Sequence, residues 1–250
     1  MRRVDYDQVA ATYNQRYGRN RFDGILDTLH RFIGEGQDAD VVEIGCGTGR
    51  WLAELANRVK SIIGVDVSRE MLRIAAADTR SASLVRARAE EIPLASGSVD
   101  RVFCINALHH FVDRVAFARE ARRILRSGGT VMVIGLDPHT TLDRWWVYDY
   151  FPGTLAADLV RYPSAEAMRG TLEEAGFSDL RTSVAQHIPA AIPFDLAVER
   201  GVVDRRATSQ LMVISDAEYE EGVRRMTAER PVLRADLRLY ATIGRVIATR

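Results

Sequence analysis

The sequence predicts an α/β fold, a mostly parallel sheet with helices on both faces. Three stretches predict it. Val41-Val42-Glu43-Ile44 is an apolar strand that runs into Gly45-Cys46-Gly47-Thr48-Gly49-Arg50, and Trp51-Leu52-Ala53-Glu54-Leu55 begins a helix at once. Ser61-Ile62-Ile63-Gly64-Val65-Asp66 is a second short buried strand ending in an acid. Thr130 to Leu136 is continuously apolar, as a central parallel strand covered on both faces must be.

A strand, a tight loop and a helix N-terminus make an elbow that can present backbone amides to a ligand. Glycine serves such a loop in two ways: it reaches backbone conformations closed to residues with a Cβ, and it lets the backbone lie flush against what is bound. The spacing argues against a dinucleotide, whose G-x-G-x-x-G pattern needs glycine at the sixth position, where this chain has Arg50. A glycine loop can also serve as a sharp turn alone. Asp66 lies 21 residues beyond Gly45. An acid at the end of strand two suits a ribose diol, because one carboxylate accepts from both hydroxyls; helix capping is its plainer use. Val67-Ser68 then leads into a helix over 69–77 with Met71, Leu72 and Ala75 on one face.

Val99 to Ile105 reads as a fourth strand, ending at Asn106-Ala107-Leu108-His109-His110-Phe111. Residues 113–126 read as a helix, with Phe117, Ala121, Ile124 and Leu125 on one face, stopped by Ser127-Gly128-Gly129. Two later strands are expected near 180–188 and 237–248. Ser215-Asp216-Ala217-Glu218 has the spacing of a capping box.

The 250 residues, 47% hydrophobic and 27% charged, suit a single domain over 1–250 with a full core and insertions. Lys+Arg and Asp+Glu are both 34, so no basic excess points to nucleic acid. Lys60 is the sole lysine, which leaves Schiff-base chemistry one candidate, outside the motifs. The two cysteines, Cys46 and Cys104, suggest no disulfide framework. With no metal-ligand spacing, no metal is expected; with no 18-residue apolar run and no apolar signal core, the chain reads as cytoplasmic, without a membrane partner.

The pattern Glu43-x-Gly45-x-Gly47-x-Gly49 closely resembles motif I of the class I S-adenosylmethionine-dependent methyltransferases. The run Ala89-Glu90-Glu91-Ile92-Pro93-Leu94, with Ser98-Val99-Asp100 and Val102, resembles the family's adenine segment, although Arg88 stands where relatives often carry an Asp. Leu108-His109-His110 resembles the family's turn after strand four, and Tyr6-Asp7 through Tyr13 and Arg16 resembles its N-terminal helix. The resemblance implies a Rossmann-like seven-stranded sheet of order 3-2-1-4-5-7-6, the cofactor S-adenosyl-L-methionine (SAM) and its product S-adenosyl-L-homocysteine (SAH). It implies a cofactor site of Tyr13, Arg16, Glu43, Gly45, Cys46, Gly47, Gly49, Asp66, Val67, Met71, Ala89, Glu90 and Asn106. Tyr13 and Arg16 are the expected carboxylate partners; Ala89, through its amide, and Glu90 are the expected adenine partners.

Residues 1–35 are expected to form a helical lid, and 137–163 and 189–235 two insertions capping an acceptor pocket. The first insertion carries Trp145, Trp146, Tyr148, Tyr150, Phe151 and Tyr162, suited to walling a small, flat acceptor or, equally, to a satellite core. His109 and His110 are the candidate catalytic bases, with structural roles as the alternative, and His139 and His187 are further candidates. The function expected is methyl transfer to a small-molecule acceptor, possible as a specialised metabolite, by a monomer or homodimer. The rivals are a SAM-binding protein that does not transfer methyl, such as a regulatory module or cyclase, a nucleic-acid methyltransferase, and a nicotinamide-dependent reductase.

Overall fold

The computed structural model describes Asp7, Ala10 and residues 22–247. These fall into two compact units. Of the described residues, the first holds those up to Gly135, Ala165–Gln186 and those from Leu239 on; the second holds Leu136–Ser164 and His187–Arg238.

The first unit carries the sheet and its helices: α1 (Asp23–Ile33), β1 (Asp40–Ile44), α2 (Arg50–Leu55), β2 (Ser61–Asp66), α3 (Arg69–Asp78), β3 (Ser83–Arg86), β4 (Val99–Ile105), α4 (Arg114–Ile124), β5 (Leu125–Leu136) and α7 (Ala165–Glu174). β7 (Phe177–Pro193) and β8 (Val232–Val246) each carry the chain from one unit to the other. The second unit adds β6 (Arg144–Trp145), α5 (Trp146–Tyr150), α6 (Pro152–Arg161), α8 (Phe194–Glu199), α9 (Ser209–Val213) and α10 (Asp216–Glu229).

The sheet runs β3-β2-β1-β4-β5-β8-β6, and β7 pairs with β8. Its first five strands pair in parallel, with Ile44 opposite Val65 and Glu43 opposite Phe103. The expected order is therefore present, with β8 and β7 as strands seven and six. The count is eight rather than seven, because Arg144 and Trp145 pair antiparallel with Asp236 and Ala235. Two residues without an apolar pattern give no strand signal in sequence.

Burial explains the parallel strands. Val41, Val42, Val102, Phe103, Cys104, Val131, Met132 and Ile134 are almost wholly excluded from solvent. Phe117, Ala121 and Ile124 of α4 pack on one face of the sheet in a cluster with Val102 and Val131. Side-chain oxygens start the helices where the sequence offers them: Ser68 accepts from the Met71 amide, and Asp113 from those of Val115 and Ala116. α4 ends at Ile124 rather than Arg126, since Leu125 is already extended.

Of the expected lid, residues 1–6, 8–9 and 11–21 lie outside the described residues. In α1, Ile25 and Leu29 are fully buried, the Gly24 amide donates to Gln186 Oε1 at 2.8 Å, and Arg101 Nε donates to the Phe32 carbonyl. A Cβ on Gly24 would lie 2.5 Å from the Ala185 carbonyl oxygen. This helix belongs to the packed core of its unit.

In the second unit, residues of both expected insertions share one core: Trp146, Val147 and Phe151 pack with Phe194, Leu211, Met226 and Leu233. Ser215 caps α10 as expected, but its Glu218 bonds the Gly153 amide at 2.6 Å. Asp158, fully buried, accepts from Tyr148 Oη at 2.9 Å and Gln210 Nε2 at 3.0 Å and lies 3.4 Å from Arg161. That polar network ties α5, α6 and α9 together. Among the described residues no helix is long and apolar enough to cross a membrane.

Candidate functional site

The glycine loop leads from β1 into α2 and bonds to the end of β2. Gly45, Gly47 and Gly49 all have positive φ, at 75°, 53° and 80°. They differ in what surrounds them. A Cβ on Gly45 would sit 2.4 Å from that of Ala107, and one on Gly49 would sit 3.0 Å from Ala75 Cβ and Thr79 Cγ2. Among the described residues a Cβ on Gly47 would meet no heavy atom within 4 Å. Two glycines therefore allow close packing, and the third faces open space.

Asp66 is bound to that loop. Its Oδ2 accepts from the Gly47 amide at 2.8 Å and its Oδ1 from the Ser68 amide at 2.9 Å. The Gly45 and Cys46 amides both donate to the Val65 carbonyl, at 2.7 and 3.0 Å. Burial raises the Asp66 carboxyl above its ordinary range, against the amides of Ser68, Gly47 and Val67, which lower it. A carboxylate offers about four acceptor positions, so with three amides on it Asp66 keeps room for a further donor. Beside it, Val67 is 60% exposed, whereas Met71 is buried.

Glu43, one residue inside the end of β1, is 1% exposed, and its Oε2 has no hydrogen-bond partner among the described residues. Burial first, then the charge of Asp66, pushes its carboxyl well above the ordinary range. Cys46 is buried and its thiol is pushed up by burial, so its chemistry is that of a filler rather than a nucleophile. Asn106, at the end of β4, has φ 50°, and its amide donates to the Ile134 carbonyl at 2.8 Å. Asparagine tolerates that left-handed conformation better than other side chains.

The adenine-type segment follows β3. Ala89 is buried. Glu90 has work of its own: Oε1 accepts from the Val112 and Asp113 amides at 2.8 and 3.2 Å, and Oε2 lies 3.4 Å from Arg88 Nε. Sequence reasoning offered that carboxylate to a ligand; the fold uses it on backbone amides. His109 and His110 lie in a 3₁₀ turn over Leu108–His110, half-buried, with ring centroids 3.8 Å apart. His139 Nε2 contacts the Tyr162 carbonyl at 2.9 Å, and His187 pairs with Asp236. Tyr13 and Arg16 lie outside the described residues. Sequence reasoning missed Asp7, which accepts from Ser68 Oγ and, at 3.3 Å, from the Glu70 amide beside Asp66. Among the described residues no group of three or more His, Cys, Asp or Glu could hold a metal ion.

The aromatic residues of the first insertion have partners within their own unit. Trp146 and Phe151 are buried in their unit's own core, Phe151 stacks on Tyr219, and Tyr148 is bonded to Asp158.

Residues 42–133, from β1 into β5, match the family model described as a methyltransferase domain. This match and the relatives below support a class I S-adenosylmethionine-dependent methyltransferase. It is 25% identical over 171 residues to the ubiquinone/menaquinone biosynthesis C-methyltransferase UbiE of Geobacter sp. (strain M21), covering 56% of this chain and 71% of that one. Among solved structures it resembles the YcgJ protein of Bacillus subtilis, with a TM-score of 0.65 at 19% identity over 91% of this chain and all of that one. It resembles the [4+2]-cyclase SpnF as well, with a TM-score of 0.65 at 17% identity over 98% and 95%. These two likenesses concern the fold. This methyltransferase takes SAM as its cofactor, and the glycine cradle open at Gly47 and the orphaned carboxyl oxygen of Glu43 are features that suit it.

Proposed function

We propose that this methyltransferase transfers the methyl group of SAM to a small-molecule acceptor, a specialised metabolite being the class intended. The observation that carries the reading is the bond between Gly47 and Asp66, which sets an open glycine cradle beside an acid with acceptor capacity to spare. SAM, when bound, supplies a methyl group already activated on a sulfonium for in-line displacement.

The chain's own residues hold, orient and deprotonate. The loop from Gly45 to Gly49, Cys46 through its backbone, takes the amino-acid and ribose end. Asp66 accepts from the ribose diol, and exposed Val67 offers an apolar surface for the base. Ala89 serves the adenine through its amide. Glu43, Met71 and Asn106 shape the floor, and Tyr13 and Arg16 engage the carboxylate. Orientation of the acceptor accounts for most of the rate, up to roughly 7–11 kcal/mol in well-oriented systems. One of His109 and His110 accepts the proton that an oxygen or nitrogen acceptor loses.

The neutral charge balance supports a small acceptor over nucleic acid. The likeness to a cyclase supports one second reading, in which SAM is bound and its methyl is retained. The test uses SAM labelled with tritium in the methyl group, incubated with the enzyme and a fractionated cell extract. Label in low-molecular-weight product supports the proposal. Label confined to nucleic acid, or none at all despite SAM binding, would overturn it.

A further inference from the structure

We infer that Glu120 and Arg123 of α4 are positioning residues for the adenine end of the cofactor site. The inference rests on the reading above, that the segment after β3 takes the base. Reading a base edge with backbone groups demands a segment held to within about 0.5 Å, and a loop has no ladder to hold it.

Here α4 supplies the frame. Arg123 and Glu120 meet fork to fork, Nε to Oε2 and Nη2 to Oε1, both at 2.7 Å. The same pair grips the loop backbone through both kinds of group. Glu120 Oε1 accepts from the Ile92 amide at 2.7 Å; Arg123 Nη2 donates to the Ile92 carbonyl and Nη1 to the Leu94 carbonyl, each at 2.8 Å, with Ser96 Oγ at 3.3 Å from Nη1. All five guanidinium N–H groups are thus engaged. The other end of the segment is tied by Glu90 to the Val112 and Asp113 amides, at the cap of the same helix. Residues 90 to 96 are therefore clamped at both ends to one rigid element. A lysine keeps the charge of Arg123 but has no planar fork and only three donors.

The test compares SAH with S-inosylhomocysteine, in which hypoxanthine replaces adenine and reverses the donor and acceptor pattern of the base edge. Calorimetry on the full chain gives the ratio of their affinities for the wild type, Arg123→Lys and the near-isosteric Glu120→Gln. The wild type should prefer SAH, and each variant should lose about tenfold of that preference. Glu120→Gln keeps the test open should Arg123→Lys fold poorly. An unchanged ratio, whatever happens to the melting temperature, would make the pair purely structural and overturn the inference; a wild type that binds both ligands equally would overturn it too. Failure of the wild type to bind SAH would instead strike at the cofactor site itself.

Discussion

The Gly47 amide and Asp66 Oδ2 are joined at 2.8 Å, so the acid ending β2 and the loop leaving β1 form one piece. The residue expected to receive a ligand also sets the conformation of the loop that would receive it. Gly45 and Gly47 separate these two tasks.

Gly45→Ala should damage the fold, because its Cβ would overlap Ala107 at a positive φ. Gly47→Ala should cost only about 1–2 kcal/mol of left-handed strain and leave the protein folded, while weakening SAH binding at least about tenfold by filling the open cradle. Urea denaturation and calorimetry on both variants check this. Equal losses of stability would show that Gly47 faces no open space.

The buried Glu43 predicts a pH dependence. Its folded carboxyl titrates well above its unfolded value, so folding takes up a proton, and stability falls as pH rises above the ordinary carboxylate range. The slope is at most about 1.4 kcal/mol per pH unit. Glu43→Gln should flatten it, although Asp66, raised by the same burial, keeps part of it. Urea unfolding at pH 5.5 and pH 8 measures the difference; parallel curves would mean that Glu43 is ionised in the fold.

Trp146→Ala should destabilise its unit by about 3–5 kcal/mol, as expected for an indole removed from a packed core. Hydrogen exchange should show lost protection in α5, α6 and α10 with β1 and β2 unaffected. A stable variant that is merely slow would restore Trp146 to an acceptor wall.

Replacing His109 and His110 together by asparagine should lower kcat about 10²–10⁴-fold for an oxygen or nitrogen acceptor and leave SAH affinity unchanged. Single variants then identify which ring takes the proton. Full activity in the double variant would make both rings structural.

Much of the first unit was legible because its signals are local. Ser61–Asp66 and Val99–Ile105 occupy the expected residues, since parallel strands read as short apolar runs between turn residues. The glycine loop was legible because positive φ selects glycine. What escaped depends on long-range geometry. Glu90 is an acid in sequence, and nothing there reveals that the Val112 and Asp113 amides need it. Glu120 and Arg123 show a helical spacing of opposite charges, but their hold on Ile92 and Leu94 lies 28 to 31 residues away in the chain. Trp146 and Phe151 could have faced a ligand as well as one another; residue type does not distinguish these, and a second segment some fifty residues on completes their core.

Calorimetric titration of SAH into the wild type and Asp66→Asn measures whether Asp66 holds the cofactor. Micromolar binding by the wild type and a loss of about 2 kcal/mol, roughly 30-fold, in the variant are expected, with folding checked by circular dichroism. No binding by the wild type, or equal affinity in the two proteins, would contradict that expectation.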